Sequence, residues 1–421
     1  TTLVGLALAS RPALGWLYLL PVGVASLGLV VLNARLIGMI GHLISAARDL
    51  MAEKGMKAPL MVVRGDGALI SASVAALKPI ETILSGPAAS LVGARWLTGA
   101  SNALVSDIGG TTTDIAVLQD GRPKIDPLGA RVGPFRTMVE AVAMRTHGLG
   151  GDSEVHFLSE GLKGGVTLGP RRLMPISLIA TEAPEIVHEA LDMQLRSDLI
   201  GEHDARFVRA VPGVASDGLG ARDGALLARI GTGIWPLGKV LGNRLDAQAL
   251  KKLVARGLVQ VAGVTPSDAS HVLGRADAWD RDAAQKALTL FGRRRTGSGN
   301  ALARDPKVLA QMIVDQLTHQ TGLALLECAF AEEEDGFGLP EDELARHVLT
   351  QRGLGRHRGL LRVETGLAVD VVGLGASAPS YYPAVGELLG CRMILPEHAG
   401  VANAIGAVVG RVTMRKLGTV T

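Results

Sequence analysis

The sequence predicts an α/β protein on three observations. Two short apolar runs flank the tip GGTTT at residues 109–113, so one strand turns back as a second strand. Towards the end, "LAVDVVGLGA", "YYPAVGELLG", "CRMILP" and "AGVANAIGAVVG" follow one another as strand, helix, strand and small-residue helix. Between these, from about residue 180 to 345, helical stretches alternate with polar loops, which reads as an inserted, mainly helical region.

The size of the chain fits two or more lobes, since 421 residues exceed the usual single domain. Apolar residues are 48% and charged residues 20%, enough for a sizeable core, but aromatics are only 3% and glycines number 54. Cores are therefore aliphatic and turns glycine-rich. A dispersed net charge of +3 argues against a nucleic-acid partner. The two cysteines, Cys328 and Cys391, lie in apolar runs and read as buried thiols of a reducing cytoplasm; no Cys/His spacing suits zinc.

Taken in order, the chain begins with an apolar stretch. No charged side chain appears between Arg11 and Arg35, a run long enough to cross a bilayer. Pro21, Gly15, Gly23 and Gly28 interrupt it, so residues 1–30 are read as a buried strand–turn–strand or a lobe junction in preference to a membrane span or a signal peptide. Residues 31–179 form the next division. "LIGMIGHLISAARDLMAEK" spaces its apolar residues as an amphipathic helix, and "APLMVVRGDGALIS" reads as strand, Gly-Asp-Gly turn and strand. In "ETILSGPAASLVGARWLT" a turn at Ser85–Pro87 leads into a helix, with Pro87 at an early helical position. "FRTMVEAVAMRTHGLGGDS" reads as helical. Within the inserted region, 180–345, the arginines of "FGRRRTGSGNALARD" read as a solvated loop. Residues 346–421 return to strong α/β patterning.

The chemistry concentrates at "SDIGGTTTDIAVLQDG", Ser106 to Gly121. A P-loop or dinucleotide fingerprint sends its glycine turn into a helix, whereas here strand follows strand. A hairpin tip can still hold phosphate. Gly109 and Gly110 let the backbone approach an anion and donate N–H groups, while Thr111, Thr112 and Thr113 add hydroxyls. Asp107, at the strand end, suits Mg²⁺ held through water or the orientation of an attacking water; Asp114 suits the same task, or acceptance of turn N–H bonds. We assign the catalytic role to Asp107 with Thr111, and the metal role to Asp107 and Asp114. The bland reading, a decorated surface turn, fits less well between two apolar strands.

A second glycine turn, Gly373-Leu374-Gly375-Ala376-Ser377, follows strand "AVDVV" and precedes a helix. Gly373, Gly375 and Ala376 are shaped to lie against a base or ribose, although many α/β turns look alike. Paired with the hairpin, they suggest a nucleotide between a phosphate clamp and an adenosine shelf. In "THGLGGDSEV", Thr146 to Val155, the glycines and Asp152 could form a further backbone cradle. His147 there reads as a structural histidine in preference to a ligand or general base. "ILSGPAAS" carries a positioning role only.

The motifs taken together resemble the hydantoinase A / 5-oxoprolinase family. "VLNARLIGMI", "MVVRGDGALIS", "PIETILSGPAASLVGAR", "SDIGGTTTDIAVLQDGRP", "THGLGGDS" and "VVGLGASAPSYYPAVGELLGCRMILPEHAGVANAIGAVVG" occur in that family's order across about residues 31–410. The resemblance implies an actin-like ATPase (ribonuclease H-like) lobe, with Asp107–Asp114 as a phosphate loop and Gly373, Gly375 and Ala376 on the adenosine side. It implies ATP and Mg²⁺ as cofactors, and the opening of a hydantoin- or lactam-like ring after phosphorylation of its carbonyl. The implied partners are a small cyclic amide and a hydantoinase B-like subunit. The alternatives are an ATP-dependent ketone carboxylase subunit and a nucleotide-binding protein without catalysis. The sequence holds one D-x-GGT-type loop where the family pattern has two, so the N-terminal lobe is expected to be missing and the chain to be the core of a longer protein. "THGLGGDSEV" also replaces a more glycine-rich version of that loop.

Overall fold

The computed structural model describes residues 15–132, 135–160, 162, 164–333 and 336–413. Of the apolar N-terminal stretch, residues 1–14 lie outside them. Residues 15–53 form one helix, α1 (Gly15–Glu53), so the strand–turn–strand reading of 15–30 is corrected. The predicted amphipathic helix is simply its second half. The run is rich in leucine and alanine, which lose little on entering a helix, and this outweighs the interrupting glycines. No helix among the described residues is long and apolar enough to cross a membrane.

The chain is α/β and divides into two compact units, one of residues 1–107, 116–145 and 396–421, the other of 108–115 and 146–395. In the first, α1 is followed by β1 (Met61–Val63) and β2 (Leu69–Ser71), paired antiparallel with Val62 opposite Ile70, and by α2 (Ala72–Leu77). Ile44 of α1 and Ala72 and Ala75 of α2 make a small buried cluster against Leu60, Val62 and Ile70. Helix α3 (Ser85–Thr98) holds Pro87 in its first turn and ends on Gly99, whose φ of 67° is the left-handed stop that glycine adopts freely. A Cβ at Gly93 of α3 would stand 2.0 Å from the carbonyl oxygen of Ala402, and one at Gly406 would stand 1.8 Å from that of Ala89. Glycine therefore sets the approach of α3 to the helix Ala402–Val409.

Strand β3 (Ala103–Ile108) and strand β4 (Thr113–Gln119) are joined by residues 109–112, and β5 (Arg122–Pro123) pairs antiparallel with β4. On the other side of β4 lies β6 (Met144–His147). The helical reading of 135–153 is thereby corrected. Ile125 pairs with Val142 and Asp126 with Ala141, Arg136 ion-pairs with Asp126, and Met138 sits at φ 53°, a conformation no helix interior accepts.

In the second unit β7 (Ser153–Leu158) and β8 (Gly165–Arg172) form a hairpin with Val155 opposite Leu168. The stretch from 174 to 332 contains strands that periodicity did not reveal: β9 (Met174–Pro175), β10 (Phe207–Ala210), β11 (Ile234–Pro236) and β12 (Val259–Gly263). They form a sheet in the order β9-β12-β10-β11, with β9 parallel to β12 and the other pairs antiparallel. Among them run α4 (Ile176–Glu182), α5 (Pro184–Arg196), α6 (Ala221–Ile230), α7 (Arg244–Ala255), α8 (Pro266–Val272), α9 (Arg281–Gly292) and α10 (Pro306–Glu332). Val208, Leu226, Ile230, Leu253 and Val259 make one aliphatic core. Strand β13 (Val371–Leu374) leads into α11 (Ala378–Leu389) and pairs in parallel with β14 (Met393–Ile394).

The three-arginine loop departs from its solvated reading. Arg293 donates to the carbonyl oxygens of Leu195 (2.7 Å) and Ser197 (2.9 Å), satisfying the end of α5. Arg294 stacks 3.9 Å above the ring of Phe291, and burial lowers its pKa to about 10. Arg295 is exposed.

Candidate functional site

The GGTTT interruption is a hairpin turn. Its first bond is from the Gly109 N–H to the Thr112 carbonyl (2.8 Å), which closes the tip after β3. The amides of Gly110 and Thr111 donate to no group among the described residues. Thr111 and Gly109 are exposed and Thr112 half-buried, whereas Thr113 is buried and donates its hydroxyl to the Leu149 carbonyl (2.7 Å). Of the three threonines, then, the first two face outward and the third ties the turn down. Asp114 accepts the hydroxyl of Thr146 at the end of β6 (2.7 Å).

Asp107, the penultimate residue of β3, accepts a hydrogen bond from the Ser90 hydroxyl of α3 (2.7 Å). Burial pushes its carboxyl above the ordinary aspartate value, and the Ser90 bond partly opposes that shift. A carboxylate kept against a desolvation cost at the lip of a glycine turn is a common mark of a working group. Ser90 closes the "SGPAAS" stretch, whose positioning role thus falls on one hydroxyl.

The turn and the "THGLGGDSEV" loop are laced together through their backbones. Gly151 N–H donates to the Gly109 carbonyl (3.1 Å) and Asp152 N–H to that of Gly110 (2.8 Å). A Cβ at Gly150 would stand 2.5 Å from the Gly109 oxygen, and one at Gly110 would stand 2.5 Å from Asp152 Oδ2. Glycine at 110 and 150 thus admits this close approach, and the loop is a buttress of the turn. Asp152 is held by Arg172, Nη2 to Oδ2 at 3.0 Å, and by the Ser267 hydroxyl at 3.2 Å.

Sequence reading missed the supports of that buttress. Thr265-Pro266-Ser267-Asp268 opens α8 as a capping box, a pattern of Thr, Pro and an acid three residues on that the sequence does display. Ser267 N–H bonds the Gly151 carbonyl (2.8 Å). Asp268, fully buried, accepts from the backbone and hydroxyl of Ser177 (2.7 Å each), the amide of Ile176 and the Thr265 hydroxyl (2.9 Å). Burial raises its pKa, with those donors opposing.

Gly373 lies buried inside β13, where a Cβ would meet Leu395 and the Tyr382 ring at 2.7 Å each, so its glycine is required by internal packing. Gly375, half-buried at φ 108°, makes the turn into α11, and Ala376 is exposed beside it. His147 faces a cavity of about 520 Å³, bordered by Thr167, His319 and Gln320. Its Nδ1 stands 3.7 Å from Glu327 Oε2, and Arg346 holds the other oxygen of Glu327 at 2.9 Å. Burial lowers the pKa of His319. Glu327 is the single acid in the apolar run 322–330 of α10, which was the available signal.

The turn suits a phosphate-bearing ligand in one testable respect. The amides of Gly110 and Thr111 donate to no group among the described residues, and Asp107, at the end of the preceding strand, accepts from the Ser90 hydroxyl. Residues 28–175 match the family model described as hydantoinase/oxoprolinase. Over that segment the chain is similar to the hydantoinase/oxoprolinase family. Comparison with curated proteins gives no match. Among solved structures, the chain is similar to nucleotide-free acetone carboxylase at 18% identity, covering 87% of this chain and 37% of that one, with a TM-score of 0.45. It is similar to the ATP-dependent caprolactamase from Pseudomonas jessenii at 17% identity, covering 91% of this chain and 40% of that one, with a TM-score of 0.48. The chain thus spans about two fifths of either relative.

Proposed function

We propose that this chain is the nucleotide-handling part of an ATP-dependent cyclic amide hydrolase. The observation that supports this reading best is the 109–112 turn, with its two amides donated to no described residue, directly after the desolvated Asp107. The family match across 28–175 contains that turn. Bound Mg-ATP would supply the phosphoryl group that activates a ring carbonyl towards water. In this reading the Gly110 and Thr111 amides and the Thr111 and Thr112 hydroxyls donate to phosphate oxygens, as backbone nests do. Asp107, kept in register by Ser90, orients a water or a magnesium-bound water, with Asp114 as the second acidic position for the metal. Gly375 and Ala376 form the turn offered to the adenosine. The substrate is a hydantoin- or lactam-like ring, and a hydantoinase B-like chain completes the reaction.

The test is ATP hydrolysis stimulated by 5-oxoproline or hydantoin, measured for the protein and for Asp107→Asn. The reading expects stimulated turnover that the variant loses by at least about 100-fold, the scale of a general base. Turnover equal in both would refute it. Product formation that depends on bicarbonate would instead identify a carboxylase.

A further inference from the structure

The second unit holds a larger cavity, of about 980 Å³, that the nucleotide reading does not use. It opens between the β9-β12-β10 sheet and helix α7. Its body is aliphatic, with Met174, Leu178, Leu241, Leu250, Val254 and Val261 on facing walls. Its volume is that of a small-molecule site, and an apolar body with few convergent polar groups is the usual composition of one.

The polar end is built around Glu154, whose side chain is 2% exposed. Arg206 Nη2 lies 2.6 Å from one carboxylate oxygen and Arg171 Nε 2.8 Å from the other. Two guanidiniums thus share one carboxylate. Each presents a planar fork of five donors, of which Glu154 engages only part. Arg171 remains 63% exposed on its cavity side chain, so donors are left over at the mouth. Lys251 and His203 line the same space, and neither forms an ion pair among the described residues. The countercharges are Glu202, also at the lining, and Asp152, which engages Arg172. Along the lining, Arg171, Arg172, Arg206 and Lys251 outnumber Glu154 and Glu202, and two of these cations meet at Glu154. That polarity fits a ligand with a negative head and a hydrocarbon body.

We propose that this cavity binds a small amphipathic carboxylate, its head on Arg171, Arg206 and Lys251 and its body along Leu250, Val254 and Val261. The claim stands apart from the nucleotide reading and survives its failure. The probe is 8-anilinonaphthalene-1-sulfonate, followed by fluorescence and competed with decanoate, decanol and acetate. Decanoate is expected to displace the probe at least about tenfold more tightly than decanol, the worth of one charge-assisted bond, and acetate not at all. Two surface-facing variants locate the site: Lys251→Glu should weaken decanoate about tenfold, and Val254→Trp should block it by filling the cavity. Circular dichroism checks that both remain folded. Equal competition by decanol and decanoate would overturn the proposal in favour of a plain apolar groove, such as a partner's apolar segment would cover. Decanoate affinity unchanged in both variants would overturn it by placing the probe elsewhere.

Discussion

The Asp152 carboxylate fills the space that a side chain at Gly110 would need, with its Oδ2 2.5 Å from the position of a Cβ there. Because Arg172 and Ser267 fix Asp152, that oxygen cannot simply swing aside. Gly110→Ala should therefore cost about 1–3 kcal/mol, the range for overpacking, and should weaken nucleotide binding together with stability. Denaturant titration beside nucleotide titration checks this. An alanine variant with the parent's midpoint and affinity would show that the turn yields freely.

Asp107 makes a prediction about pH. Its folded pKa lies above the unfolded value, so the neutral form is the one folding favours. Stability from this group is fully present below the unfolded value, near 4, and is lost as pH rises through the folded value. At neutral pH the carboxylate is a net cost. Asp107→Asn, whose amide oxygen still accepts from Ser90, should melt at or above the parent at pH 7 while losing activity. A variant that melts well below the parent would mean that the charge stabilises the fold.

Ser90→Ala removes the donor that opposes the upward shift at Asp107. The acidic limb of the pH–activity profile should move to higher pH, with a stability loss of about 1 kcal/mol. An unmoved limb, at any level of activity, would contradict the positioning role given to this hydroxyl.

Asp268 collects donors from Ile176, Ser177 and Thr265 while fully buried. Asp268→Asn would turn an NH2 group towards some of those donors. It should cost about 2–4 kcal/mol through unsatisfied buried groups. Chemical denaturation measures it, and a midpoint within error of the parent would show that the network is dispensable.

The sequence displayed what is local and periodic. The β3–β4 hairpin, the turn into α3, the β13–α11 passage and the helix Ala402–Val409 all show in apolar spacing and glycine punctuation. It did not display what depends on distant partners. Residues 135–147 carry helix-like spacing, yet pairing of Ile125 with Val142 makes them strands. Strands β10 and β11 are three or four residues long, too short for an alternation to register. At the site, Gly373 looked like a ligand-facing glycine, but the ring of Tyr382 accounts for it. The Glu154–Arg171–Arg206 cluster joins residues 52 positions apart, a relation that spacing alone does not carry.

The most direct measurement is calorimetric titration of Mg-ATP into the protein, with Asp107→Asn alongside. The account predicts magnesium-dependent binding that weakens in the variant. Absence of binding to the parent, or equal affinity in both proteins, would contradict the assignment of residues 107–114 as a phosphate clamp.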